Sequence, residues 1–194
     1  MSRGVNISNI LLPLSEKPIQ AYFGQRLHTL GLLKWIIAQT GRANVFVSSY
    51  STSEPFLNGY YLMRRKGDIA RGIILLDNRA ARKTIQLEQL LCNCFDAVFL
   101  GQNHSKVLLI RNSSWSVSVV TSQNQTYGDR AESTIITTDQ GVFDQLMKQF
   151  ICCCSQDAVE IDIKNGTGII TENKGAGQPA AHTRADWRPF GVEY

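Results

Sequence analysis

His104 stands two residues before Lys106 in the run Gly101-Gln102-Asn103-His104-Ser105-Lys106-Val107-Leu108-Leu109-Ile110, and it is one of 3 histidines in the 194-residue chain. Side chains alternate along a strand, so residues two apart share an edge or face. The imidazole and the ammonium are therefore expected to project together while the aliphatic residues after them bury the strand. The next β-rich run ends in Thr121-Ser122-Gln123-Asn124, and Glu132 stands just before the one that follows. A cation, a hydroxyl, an amide and an imidazole able to act as a nucleophile make a binding site for a phosphate. The carboxylate can hold the imidazole by its second nitrogen. The expected catalytic residues are His104, Lys106, Asn124 and Glu132, with Ser122, Lys106 and Asn124 binding substrate.

Each of these residues has an ordinary reading when taken singly. His104 can be a surface histidine at a strand start, Lys106 an edge charge that discourages aggregation, Asn124 a turn former, and Glu132 a solvated charge beside Arg130. Their spacing on consecutive elements carries the functional reading. His28, inside the first helix, and His182, in the tail, are read as ordinary residues.

The elements that must position the set follow from periodicity. Leu27, Leu30, Leu33 and Ile37 recur at helical steps between Tyr22 and Thr40, and Gly41 follows as a stop signal. Asn44 to Ser48 reads as a short strand. The polar cluster from Ser48 to Ser53 then offers N-caps for a helix that runs to about Lys66 and closes at Gly67. Ile69 to Leu76 is a strand buried on both faces, a helix spans about Ala80 to Cys94, and Ala97 to Leu100 is another buried strand. This alternation predicts an α/β fold with a largely parallel sheet covered by helices on both faces.

Beyond Gly101 the pattern changes. Ser105 to Ile110 and Trp115 to Thr121 flank the hairpin signal Arg111-Asn112-Ser113-Ser114, Ser133 to Thr137 is a further strand, and Asp139 can cap a helix from Phe143 to about Cys153. Residues 159 to 163 suggest one more strand. The expected domain covers residues 1 to 170, followed by a tail over 171 to 194 in which Gly175, Gly177, Pro179 and Pro189 break every period.

Composition narrows the function classes. Hydrophobic residues make up 43% of the chain and charged residues 19%, which excludes disorder as the main state. No apolar run approaches the ~20 residues of a membrane span, and the N-terminal apolar stretch is too short and polar for a signal peptide. The 5 cysteines form no metal-ligand spacing and read as reduced, mostly buried thiols of a cytoplasmic protein. No metal or cofactor is expected. The net charge of +4 is concentrated between Arg64 and Lys83, where Arg64, Arg65, Lys66, Arg71, Arg79, Arg82 and Lys83 face only Asp68 and Asp77. By itself such a run is a solvated face, and beside a phosphate site it suits a polyanion.

The sequence resembles the phospholipase D superfamily. That family's motif reads His-x-Lys, four residues, Asp, six residues, Gly-Ser-x-Asn, with a downstream Glu. His104-Ser105-Lys106 matches the first part, Ser122 and Asn124 the second with Thr121 in place of Gly, and Glu132 the downstream acid. The strand and helix order from about Tyr22 to Phe150 also matches the family's layout. Arg111 replaces the motif Asp, which in the family is chiefly structural, and the hairpin is three residues longer.

The resemblance implies a three-layer α-β-α sandwich with a mixed, largely parallel sheet and a metal-independent phosphodiesterase. One histidine would form a phosphohistidine and a second would protonate the leaving oxygen. With one His-x-Lys set per chain, it implies a homodimer whose twofold axis passes through the site. The basic stretch and the short form favour a nuclease acting on DNA or RNA. A catalytically degenerate nucleic-acid-binding or assembly module on the same fold is the second reading, motivated by Arg111 and the longer hairpin. Phospholipid hydrolysis or transfer is the third, since no basic amphipathic helix or aromatic interfacial loop argues for a membrane.

Overall fold

A computed structural model describes residues 6–125 and 130–161 of the chain. The expected tail over 171–194 lies outside the described residues. The elements in chain order are β1 (Ile19–Gly24), α1 (Thr29–Thr40), β2 (Ala43–Ser49), α2 (Glu54–Lys66), β3 (Ile69–Asp77), α3 (Ala81–Gln86), α4 (Glu88–Cys94), β4 (Ala97–Gly101), β5 (Val107–Arg111), β6 (Ser116–Thr121), β7 (Glu132–Thr137), α5 (Gln140–Cys152) and β8 (Ala158–Glu160).

Local signals set most boundaries. Ser53 accepts a hydrogen bond from the Phe56 N–H and Pro55 opens α2, while Gly67 ends it at φ +82°, a left-handed cap that glycine adopts without a Cβ penalty. Asp139 caps α5 by accepting from the Val142 N–H. In the hairpin, Asn112 Oδ1 accepts from the N–H groups of Ser114 and Trp115.

The strands form one sheet in the order β1-β7-β6-β5-β2-β3-β4-β8. Parallel pairing is confined to β2, β3 and β4, the part built from β-α-β units, and the hairpin strands and both edges pair antiparallel. The sheet is therefore mixed, with its parallel portion narrower than the alternation alone suggests. Alternate strand residues face two cores. Val45, Val47, Ile74, Leu76, Leu108 and Ile110 pack under α1, α2 and α4. Phe46, Ile73, Leu75, Phe99 and Leu109 pack under Phe143, Met147 and Phe150 of α5.

Two readings are corrected. The first helix does not begin at Tyr22. Ile19–Gly24 is a strand whose exposed and covered residues alternate, paired with β7, and the helix starts at Thr29 with His28 as its N-cap residue. An edge strand this short, run into a helix of similar apolar content, leaves no separate period. The cysteines are also less buried than expected. Cys94 and Cys154 are inside, Cys92 is half-buried, and Cys152 and Cys153 are exposed where α5 opens into a π turn. Burial pushes the Cys94 and Cys154 thiols up to about 12.

Candidate active site

Strand register gathers the expected residues at one edge of the sheet. Ser48 of β2 lies opposite Val107 of β5, Val107 opposite Val120 of β6, Thr121 opposite Thr134 of β7, and Glu132 opposite Gly24 of β1. The C-terminal ends of β1, β2, β3, β4 and β6 and the N-terminal ends of β5 and β7 thus share that edge. Helices α1 and α2 begin there, because each follows a strand that ends there. In open α/β sheets this crevice outside the strand carboxyl ends is where ligands bind.

His104 and Lys106 lie in the connection that precedes β5, not on the strand itself, which starts at Val107. They still meet. Lys106 Nζ lies 3.2 Å from His104 Nδ1 and donates to the His104 carbonyl at 2.7 Å. The imidazole is exposed and meets the Tyr50 ring edge-on, with ring centroids 5.4 Å apart.

The connection is held by Asn103, a buried residue that sequence reasoning passed over. Its Nδ2 donates to the carbonyls of Ser49 and Leu75, both at 3.1 Å, and its Oδ1 accepts from Ser48 Oγ, Ser105 N and Ser105 Oγ. Its own N–H donates to Asp77 Oδ2 at 2.9 Å. Three of the five carboxamide hydrogen bonds tie the residue before His104 to the ends of β2 and β3, and the other two hold Ser105 on its far side. A buried amide with that many partners leaves the loop little freedom. The only hint in the sequence was an Asn adjoining the His-x-Lys set, a residue type found in any loop.

The other expected residues divide into two groups. Thr121 N donates to the Lys106 carbonyl at 3.0 Å, and Ser122 N donates to the Ser133 carbonyl at 3.0 Å, which fixes the end of β6 beside the His104 loop. Ser122 Oγ donates to Glu132 Oε2, so the carboxylate is engaged by that hydroxyl and makes no hydrogen bond with His104 within the chain. Among the described residues, Asn124 makes no hydrogen bond with that set. It lines a cleft with His28, Ser53, Phe56 and Gln125 between the N-termini of α1 and α2, and its Oδ1 is buried without a partner. Ser122, Glu132, His104 and Lys106 thus sit along one edge, with Asn124 on the cleft wall two residues past Ser122.

Arg111 stands at the far end of β5, opposite Asn44 and Ser116. It pairs with Asp144 at 3.7 Å and lies over the Phe143 ring at 5.6 Å, so it anchors α5 to the sheet. The position that departs from the motif is therefore structural here and remote from His104.

The basic stretch does not form one patch. Arg64, Arg65 and Lys66 end α2, which runs away from the site edge, and Arg64 is tied to Asp96 at 3.0 Å and to the Ala70 carbonyl at 2.8 Å. Arg79, Arg82 and Lys83 follow the C-terminal end of β3 and are exposed on the site edge. Sequence proximity concealed a full strand length between the two groups. Among the described residues no cluster of three or more His, Cys, Asp or Glu is placed to hold a metal ion, and no helix is long and apolar enough to cross a membrane.

No family model matches the sequence, and no curated protein matches it. Solved structures do. Nuc from Salmonella typhimurium, a phospholipase D family member, aligns with a TM-score of 0.56 at 14% identity over 73% of this chain and 96% of that one. The chain has the phospholipase D fold. NucT from Helicobacter pylori aligns with a TM-score of 0.55 at 16% identity, over 73% of this chain and 97% of that one. TrmBL2, an archaeal chromatin protein with a novel mode of DNA binding, aligns with a TM-score of 0.51 at 9% identity over 78% of this chain and 58% of that one. The phospholipase D fold accounts for the mixed sheet with helices on both faces.

Proposed function

We propose that the protein is a metal-independent phosphodiesterase that cleaves nucleic acid as a homodimer through a phosphohistidine on His104. The observation that carries this reading is the contact of Lys106 Nζ with His104 Nδ1, 3.2 Å apart at an exposed sheet edge of a phospholipase D fold. An ammonium that donates to Nδ1 leaves the proton of a neutral imidazole on Nε2. Nucleophilic attack needs the opposite tautomer. Lys106 therefore moves from the imidazole to a phosphate oxygen when substrate binds, and the freed Nδ1 carries the proton while Nε2 attacks phosphorus.

In the first step the P–N bond forms as the P–O bond to the leaving oxygen breaks, and that oxygen takes a proton from the second copy's imidazole in its protonated, cationic form, which is left neutral. Water then attacks phosphorus and gives its proton to that same imidazole, and the P–N bond breaks. Lys106, Asn124 Nδ2 and the Ser122 hydroxyl steady the charge on the phosphate, and Glu132 turns from Ser122 to the imidazole.

Two features support the homodimer. One chain offers a single His-x-Lys set, which is half of this chemistry. The face of β1, β7 and β6 that α5 leaves bare is also apolar. Ala21, Ile135, Val120 and Val107 lie in register across four strands, with Phe23 78% exposed and Ile19 62% exposed beside them. The row ends next to Lys106, so a second copy seated there lies beside the site.

The decisive experiment compares wild type with His104→Ala on single-stranded DNA, RNA and a bis-aryl phosphodiester, in chelator. Wild type should turn over all three and the variant none, while Lys106→Ala and Asn124→Ala slow turnover and Glu132→Gln has a milder effect than His104→Ala. Equal rates for wild type and His104→Ala would refute the site. Binding without any cleavage by wild type would favour the second reading, a nucleic-acid-binding module, for which the bond from Glu132 to Ser122 instead of His104 is the supporting observation.

A further inference from the structure

Little that is intrinsic to His104 fixes the direction of its imidazole. Its χ2 is a broad torsion between sp³ and sp² carbons, and the ring is exposed on a loop. In-line attack on phosphorus needs Nε2 aimed to within about 10 to 20°. Contacts must therefore set the ring. Among the described residues two side-chain interactions hold it. Lys106 Nζ lies 3.2 Å from Nδ1, and the Tyr50 ring lies 5.4 Å away between centroids with 60° between the planes. No hydrogen bond among the described residues occupies Nε2.

The backbone builds the Tyr50 contact. Asn103, the residue before His104, donates from Nδ2 to the carbonyl of Ser49, the residue before Tyr50. The Asp77 N–H donates to the Tyr50 carbonyl at 3.3 Å, while Asp77 Oδ2 accepts from the Asn103 N–H at 2.9 Å. Both rings are thus carried by segments tied to each other directly and again through Asp77. Tyr50 is half-buried, and its hydroxyl takes part in no hydrogen bond among the described residues. The contact uses the ring.

Of the two interactions, that of Tyr50 is the one that persists when substrate binds. Lys106 leaves the imidazole for a phosphate oxygen, and Glu132 starts out engaged by Ser122. An aromatic neighbour also suits what the imidazole becomes. The copy that gives a proton to the leaving oxygen starts as an imidazolium, and the phosphohistidine carries a proton on Nδ1. A π system attracts such a ring, and an aliphatic side chain of similar bulk does not.

We propose that Tyr50 is a positioning residue that holds the His104 imidazole with Nε2 free to meet phosphorus while Lys106 and Glu132 change partners. Its effect on rate rests on the phosphodiesterase reading, and its geometry rests on the ring contact alone.

The test pairs proton NMR with kinetics on the full chain. The chain has 3 histidines, so the His104 ring protons are assigned by their loss in His104→Ala. In wild type they should show cross-relaxation with aromatic protons that disappear in Tyr50→Leu. Their ring-current displacement should survive in Tyr50→Phe and vanish in Tyr50→Leu. An aromatic pair of this kind is worth roughly two- to twelvefold, so Tyr50→Leu should lower kcat for a bis-aryl phosphodiester by about that factor. KM should stay within about twofold, as expected for an orienting effect without substrate contact. Tyr50→Phe should recover the wild-type kcat.

Absence of cross-relaxation between the two rings in wild type would overturn the proposal, and that measurement stands even if Tyr50→Leu fails to fold. Wild-type kcat in Tyr50→Leu, or a Tyr50→Phe kcat as low as that of Tyr50→Leu, would overturn it as well. A loss expressed mainly in KM would make Tyr50 a substrate contact instead. A wild type that shows the ring contact and turns over nothing would refute the phosphodiesterase reading, and the role in rate with it. Turnover that Tyr50→Leu leaves untouched would refute the Tyr50 role alone.

Discussion

Replacing Asn103 separates the scaffold of the site from its chemistry. In Asn103→Ala the carbonyls of Ser49 and Leu75 each lose a donor, and the Ser105 N–H loses its acceptor. Ser48 Oγ and Ser105 Oγ lie 2.5 Å apart and satisfy each other, so their two bonds to Asn103 are partly recovered. Three buried or half-buried bonds at roughly 1 kcal/mol each put the loss near 3 kcal/mol. That is a large part of the 5 to 15 kcal/mol, roughly, that holds a domain folded, and for a chain of this size it lowers Tm by roughly 6 to 12 °C. Asn103→Asp keeps the three accepting bonds but turns a carboxylate oxygen toward two carbonyls, with the Asp77 carboxylate one hydrogen bond away. It should therefore be no more stable than the alanine variant. Thermal and urea unfolding measure both. Turnover of an aryl phosphodiester by Asn103→Ala, assayed well below its Tm, should fall tenfold or more in kcat with a smaller change in KM, because the loop that carries His104 is loosened while Lys106 remains. A stability loss under 1 kcal/mol together with wild-type kcat would refute the argument that Asn103 sets the position of the imidazole.

Four further outcomes follow from the same geometry. Arg79, Arg82 and Lys83 changed together to Ala should weaken binding to all single-stranded sequences alike and flatten the dependence of log affinity on log salt, since each lost phosphate contact removes roughly 0.7 from the slope. The Arg64, Arg65 and Lys66 triple variant should leave the slope unchanged and instead lose stability through the Asp96 pair. Burial raises the Cys94 and Cys154 thiols from 9.0 to about 12, so the folded state keeps protons that the unfolded state releases. Stability is then full below about pH 9 and falls as pH rises toward 12, and urea unfolding of Cys154→Ala should show a shallower fall. Phe23→Asp or Ile135→Asp should give a folded monomer by sedimentation and abolish turnover, whereas a dimer with both substitutions would place the second copy elsewhere.

Much of the central architecture was legible because its signals are local. Gly67 stops α2, Asp139 starts α5, and the aliphatic runs of β3 and β4 have only one way to be buried. The edge strand β1 was not legible, since half of Ile19–Gly24 faces solvent and its pairing with β7 joins residues more than a hundred positions apart. The His104 and Lys106 contact was anticipated by a strand argument, although the two residues precede the strand. What brings them together is the Lys106 side chain folding back on the His104 carbonyl.

Charge position was the feature the sequence hid most completely, and the reason is topological. A helix that follows a parallel strand returns to the opposite edge of the sheet before the next strand begins. Cations that end such a helix and cations that follow the next strand are neighbours in sequence, yet they belong to opposite edges. Arg64 to Lys66 and Arg79 to Lys83 stand in that relation around β3. A basic run across a β-α-β unit therefore has no meaning as a patch until it is divided at the strand. Here the division leaves Arg79, Arg82 and Lys83 on the edge that also carries His104, Lys106 and the cleft. The same rule places Ser53 and His28, which precede returning helices, at the site edge. In a fold of this kind, the residues to search for substrate contacts are those just after each parallel strand, even where the sequence between them is unremarkable.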